Sequence, residues 1–124
     1  MTNRLGYFTI DTPDLDKAKA FYSALLGWTF DDANSNPTYA HVLATGAAGE
    51  VPFGIRKGER KDFPNLYIQV ADVHALCARV NALGGRASMP AQSETGLSAV
   101  ICDDQGVSLS LWQPADDYTA SSSG

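Results

Sequence analysis

A chain of 124 residues and 13.2 kDa can bury one good hydrophobic core and is too short for two ordinary domains. Its 44% hydrophobic and 19% charged residues exclude intrinsic disorder and fibrous classes. Nine Lys and Arg against fourteen Asp and Glu give a formal charge of -5 and a pI near 4.7, which argues against nucleic acid as a partner.

No apolar run approaches the roughly 18 to 20 residues a membrane span needs, and the first residues lack the basic start and apolar block of a signal peptide, so a cytoplasmic protein without membrane contact is expected. The acidic excess serves solubility first and a cationic ligand second. Cys77 and Cys102 lack C-x-x-C spacing and are expected to be reduced, packed cysteines.

Taken in chain order, residues 5–10 alternate as a strand, and a helix follows with Thr12 as the expected N-cap, Pro13 in its first position, and Asp14 and Asp16 in the turn that favours negative charge. Leu15, Ala18, Tyr22 and Leu25 form its apolar stripe, and Gly27 can end it in a left-handed cap. Residues 27–31, 38–44 and 51–56 read as strands, separated by turn formers at 34–37 and 45–49. The charged run 56–61, R-K-G-E-R-K, reads as a solvated linker, with an anion site as a distant second.

A second series begins with a strand at 65–70 and a helix capped by Asp72, with Val73, Leu76, Val80 and Leu83 as its stripe and Gly84 or Gly85 closing it. His74 falls in the first turn of that helix, where exposure is expected. Strands at 86–89, 97–102 and 107–113 follow, with breakers at 90–96 and 103–106. Asp103, Asp104 and Glu94 lie in these loops, where hairpin and solvation roles account for them.

The two series are copies. Phe8, Ile10, Asp14, Leu15, Ala18, Tyr22, Leu25 and Gly27 align with Leu66, Ile68, Asp72, Val73, Leu76, Val80, Leu83 and Gly85 at a constant offset of 58 residues. The expected organisation is two βαβββ modules, 1–58 and 59–115, within one compact domain, followed by a flexible tail at 116–124. The fold class is α+β, with helices covering one face of each sheet.

Alternation then assigns faces. Leu66, Ile68 and Val70 oppose Asn65, Tyr67 and Gln69, and Val107, Leu109 and Leu111 oppose Ser108, Ser110 and Trp112. In the first half Tyr7 and Thr9 oppose Phe8 and Ile10, and Tyr39 and His41 share a face opposite Ala40 and Val42. If the mixed sheets curl toward each other, Tyr7, Thr9, Tyr39, His41, Asn65, Tyr67, Gln69, Ser108, Ser110 and Trp112 line a concavity of the aromatic and hydrogen-bonding makeup usual for small-molecule sites. An ordinary solvated sheet face is the equal alternative. Trp28 and Phe30 could extend the concavity or contribute to a dimer contact.

D-L-D-K-A-K-A-F-Y-S-A-L-L-G-W at 14–28, V-A-D-V-H-A-L-C-A-R-V-N-A-L-G-G at 70–85 and D-D-Q-G-V-S-L-S-L-W-Q at 103–113 resemble the vicinal oxygen chelate superfamily, which includes glyoxalase I, bleomycin resistance proteins and extradiol dioxygenases. The resemblance implies two βαβββ modules whose mixed sheets curl into a cup with the helices on the outer face, usually in a homodimer. In metal-using members a divalent ion is bound by His, Gln or Glu on the first and last strands of both modules. Those positions fall here on Tyr7, on Pro52 or Gly54, on Asn65 and on Ser110, none of which suits the family's ion.

His41 and Gln69 do not supply the three or four ligands an ion requires, and no nucleophile has readable partners: Ser108 and Ser110 lack His and Asp neighbours, and Cys77 and Cys102 lack a basic one. No cofactor and no catalytic residue are therefore expected. The expected function is metal-free binding of an aromatic or cationic small molecule, as in drug or metabolite sequestration, with Trp112, Tyr7, Tyr67 and Tyr39 stacking and Gln69, Asn65, Ser110 and His41 orienting the ligand. A metal-dependent glyoxalase- or dioxygenase-like enzyme with displaced ligands is the alternative, and a protein-interaction module is a third. A homodimer is the expected assembly.

Overall fold

Apolar residues at every second position of β1 (Phe8–Thr12) put Phe8 and Ile10 on the side where helix α1 (Leu15–Leu26) packs. The computed structural model describes residues 5–43 and 50–115, except the side chains of residues 64 and 65. Its contacts divide the chain into two units, Met1–Arg60 and Lys61–Gly124.

In the first unit, Leu15, Ala18, Phe21, Tyr22 and Leu25 form the buried stripe of α1. The N-cap is Asp14, not Thr12: Asp14 is extended and its carboxylate accepts the Lys17 N–H at 3.1 Å. Thr12 instead ends β1, and its hydroxyl donates to the Asp14 carbonyl at 3.2 Å. A cap must directly precede the first helical residue, and that residue is Leu15 because Pro13 stays in the connecting bend. Gly27 closes the helix at φ 74°, in the left-handed region that glycine occupies without strain.

The first sheet has three strands in the order β1-β3-β2: the central strand β3 (Phe53–Lys57) runs parallel to β1 and antiparallel to β2 (Tyr39–His41). The strand expected at 27–31 shrinks to a bridge between Phe30 and Val42. Two ladder bonds form, Asp31 N–H to the His41 carbonyl and Leu43 N–H to the Thr29 carbonyl. Asp31 then turns its carboxylate onto the Asn34 N–H and starts a 3₁₀ turn, Asp32–Asn34, which ends the pairing. Trp28 packs inward, stacked on Tyr22 at 5.3 Å between ring centres and edge-on to Phe53 at 4.7 Å.

The expected linker at 56–61 is partly structural. Arg56 is in β3, and its Nε donates to Asp11 at 2.8 Å, while the Arg60 N–H reaches the same carboxylate at 3.3 Å. Gly58 lies against Asp11 so closely that a Cβ there would overlap the carboxylate.

The second unit follows the expected pattern more fully. Its sheet runs β4-β8-β7-β5, from β4 (Asp62–Gln69), β8 (Ser108–Pro114), β7 (Gly96–Cys102) and β5 (Arg86–Ala87). A further strand, β6 (Ala91–Ser93), lies within the stretch read as a breaker and continues along the same edge of β7 as β5. Pro90 interrupts the edge strand there, as a residue without an N–H does.

Helix α2 (Val73–Ala82) is capped by Asp72, whose carboxylate accepts the Ala75 N–H at 3.0 Å, and Gly84 takes the left-handed turn after it at φ 92°. Val73, Cys77 and Val80 are its buried residues, so Cys77 takes the place expected for Leu76 and Leu83, which are partly exposed. Ile101, Leu109, Leu111 and Ala99 complete this core. Among the described residues, no helix is long and apolar enough to cross a membrane.

Candidate functional site

Each sheet has one face under its helix and one face that carries the polar and aromatic residues. In the first unit the register aligns Thr9, Gly54 and His41 in one row across the sheet, with Asp11, Arg56 and Tyr39 in the next. Tyr7 precedes β1 on the same face.

Three of these side chains form a chain of hydrogen bonds. The Tyr39 hydroxyl donates to the Tyr7 Oη at 2.8 Å, and the Tyr7 Oη lies 2.9 Å from His41 Nδ1. The His41 ring is 4.7 Å from the Tyr39 ring and 6.2 Å from the Tyr7 ring, centre to centre. Gly54 makes the space for this cluster: a Cβ there would lie 2.7 Å from Tyr7 Oη, 2.8 Å from Tyr39 Cε1 and 2.9 Å from the Ala40 carbonyl. Desolvation by burial, with Tyr39 alongside, pushes the Tyr7 phenol up to about 12. Tyr7 is a neutral hydroxyl at ordinary pH. In the adjoining row, the Arg56 guanidinium and the Arg60 N–H hold the Asp11 carboxyl below its usual range despite its burial.

In the second unit Tyr67, Ser110 and Val100 form one row and Gln69, Trp112 and Ser98 the next. Tyr67 is 55% exposed, whereas Ser110 is buried. Tyr67, Ser93, Thr95, Ser98 and Trp112 line a cleft of about 450 Å³, within the size range of small-molecule sites. Trp112 Nε1–H donates to the Thr95 carbonyl at 3.3 Å, which fixes the indole against the turn between β6 and β7.

Of the residues expected to line a site, Tyr7, Tyr39 and His41 come together with Thr9 in the adjacent row, and Tyr67 and Trp112 come together with Ser110 and Gln69 beside them. The Asn65 side chain lies outside the described residues. Ser108 is on the expected face but away from the cleft, its hydroxyl donating toward the Lys61 carbonyl and Asp62 Oδ1, both at 3.2 Å. It secures the start of β4. Gln113, on the opposite face, accepts the Val73 N–H at 2.9 Å and joins the last strand to α2.

The sequence reading missed Ser93, Thr95 and Ser98. Ser93 ends the short edge strand β6 and Thr95 lies in the turn after it, neither with a readable periodicity, and Ser98 sits in a strand with apolar residues on both faces, so alternation carried no signal for it.

The model of the Glyoxalase/Bleomycin resistance protein/Dioxygenase superfamily matches residues 4–111. The chain belongs to this superfamily. It is 31% identical over 99 residues to the lactoylglutathione lyase of Haemophilus influenzae, covering 71% of this chain and 73% of that one. It is 32% identical over 116 residues to CFP32 of Mycobacterium bovis, a protein provisionally named a glyoxylase, covering 87% of this chain. The chain spans less than half the length of that relative, 44%. Among solved structures, TnmS3, an antibiotic binding protein from Streptomyces sp. CB03234, superposes with a TM-score of 0.72 at 23% identity, covering 92% of this chain and 98% of that one. This likeness supports the α+β fold of the superfamily.

The positions at which the superfamily resemblance puts metal ligands do not fit a divalent ion. Tyr7 is neutral and engaged by Tyr39 and His41, Gly54 offers no donor, and Ser110 is a buried neutral hydroxyl. Gly54 aligns with Thr9 and His41 and Pro52 precedes β3, and neither side chain offers a donor. Among the described residues, no group of three or more His, Cys, Asp or Glu side chains is arranged to hold a metal ion.

Proposed function

We infer that this chain is a small-molecule-binding member of the superfamily that holds its ligand through aromatic faces and hydroxyls, without a divalent metal, and so sequesters a drug or metabolite. The observation that carries this reading is the Tyr7 hydroxyl seated over Gly54 between Tyr39 and His41, which fills the space where ligand side chains would project. The exposed Tyr67 beside Trp112 supplies the aromatic surface. The antibiotic-binding description of TnmS3 is in keeping with it. The ligand is aromatic or cationic, and the protein acts as a cytoplasmic homodimer.

The test is a thermal-shift panel of aromatic and cationic compounds on chelator-treated protein. Stabilisation that survives the chelator supports the reading, and its absence across the panel counts against it.

The identity to a lactoylglutathione lyase favours a second reading, a glyoxalase-like enzyme with ligands at displaced positions. That reading requires formation of lactoylglutathione that depends on added Ni, Fe, Mn or Zn. Inactivity with all four excludes it.

A further inference from the structure

The cleft of the second unit has a fixed wall. The Thr95 carbonyl accepts both the Trp112 indole N–H and the Ala115 N–H, at 3.3 Å and 2.8 Å. Gly96, at φ 137°, packs so closely on the backbone of residues 113–115 that a Cβ would overlap the Gln113 carbonyl. The turn and the indole therefore hold each other in place before any ligand arrives, which lowers the ordering cost of binding. With its N–H committed to Thr95, Trp112 lines the cleft with the rest of its indole.

The polar groups around the indole are hydroxyls. Ser93 donates to the Gly96 carbonyl at 3.3 Å and accepts the Thr95 N–H at 3.3 Å, so it shapes the turn. Ser98 stands in register with Trp112, and among the described residues its hydroxyl has no protein partner. No charged side chain is among the described residues lining the cleft, and Glu94 is exposed in the turn. The chain's charge of -5 attracts cations over a distance of about 10 Å and is screened by salt, whereas a charged ligand seated in the cleft would give up hydration without a counter-charge among the described lining residues.

We propose that this cleft selects an uncharged, flat aromatic ligand carrying a hydroxyl or carbonyl substituent, with Trp112 as a pre-set stacking face and Ser98 reading the substituent. The proposal rests on the small-molecule reading and narrows its ligand class to neutral aromatics.

The probes are naphthalene, 2-naphthol, 2-naphthoate and 2-naphthylmethylammonium, which share one ring system and differ in substituent and charge. Binding is followed at neutral pH and physiological salt by ¹⁵N-labelled amide and indole resonances. The expected result is tightest binding of 2-naphthol, with shifts centred on the Trp112 indole and residues 93–98. Ser98→Ala should weaken 2-naphthol about 2- to 10-fold and leave naphthalene unchanged. Ser98 is partly exposed in β7 and its hydroxyl is not needed by the sheet, so this variant should fold.

A tenfold preference for the cation or the anion overturns the neutral class while leaving small-molecule binding intact. Shifts confined to Tyr39 and His41, or no shifts with any probe, overturn the assignment to this cleft. Small-molecule binding itself falls only with the separate, broader thermal-shift panel.

Discussion

The Tyr7 hydroxyl lies 2.9 Å from His41 Nδ1 and joins the residue before the first strand to the end of the second. Tyr39 donates to Tyr7, which leaves the phenol's own proton free to be donated to His41. A neutral His41 then accepts at Nδ1 and carries its proton on Nε2. Imidazole ¹⁵N spectra should show the Nε2–H tautomer, and Tyr7→Phe should release that preference. A dominant Nδ1–H tautomer in the unmodified protein would contradict the bonding described.

The same cluster predicts alkaline behaviour. Unfolded chain loses a tyrosine proton near 10, whereas folded Tyr7 retains it until about 12. Between these values the folded state binds more protons than the unfolded one, so this contribution to stability is fully present below pH 10 and is lost as pH rises toward about 12. Ultraviolet titration should show a late-ionising tyrosine step whose amplitude Tyr7→Phe reduces. Uniform titration of all the tyrosines near the ordinary value would refute it.

Gly54 is required by space and not by backbone angle. Gly54→Ala puts a methyl against two tyrosines and the Ala40 carbonyl, and should destabilise the protein by about 1–3 kcal/mol in urea unfolding. Adding Tyr7→Ala removes one of these contacts and should recover part of the loss. Additive destabilisation would show that the contact has been misassigned.

Asp11 governs the acid side. Hydrogen bonding to Arg56 lowers its pKa from 3.8, so its contribution to stability is present above that value and is lost as pH falls through the folded pKa. Asp11→Asn should be less stable at neutral pH and lose less stability on acidification than the parent, as read by thermal unfolding across an acidic pH series. Parallel curves for the two proteins would rule out this role.

The Asp72 and Gly27 caps and the periodic strands were legible because each signal is local: Asp72 beside Val73, Gly27 after Leu26, Ile68 opposite Tyr67, whereas the first N-cap fell on Asp14 and not on Thr12. The aromatic faces followed from the same alternation. What was hidden depended on partners distant in sequence. Residues 29–31 have a strand-like composition, but Asp31 diverts the chain into a turn. Ala91–Ser93 reads as a turn and becomes a strand only because β7 offers it an edge. Ser108 shares the face of Ser110 yet is engaged by residues 46 and 47 positions earlier. The role of Gly54 follows from side chains at Tyr7 and Tyr39, which sequence spacing does not reveal.

The most direct test of metal-free binding is elemental analysis of protein purified without chelators, combined with thermal unfolding before and after addition of Ni, Fe, Mn and Zn. The Tyr7–Tyr39–His41 cluster over Gly54 predicts substoichiometric metal and an unchanged unfolding temperature. One tightly held divalent ion per chain, with a rise in unfolding temperature when that ion is restored, would contradict it.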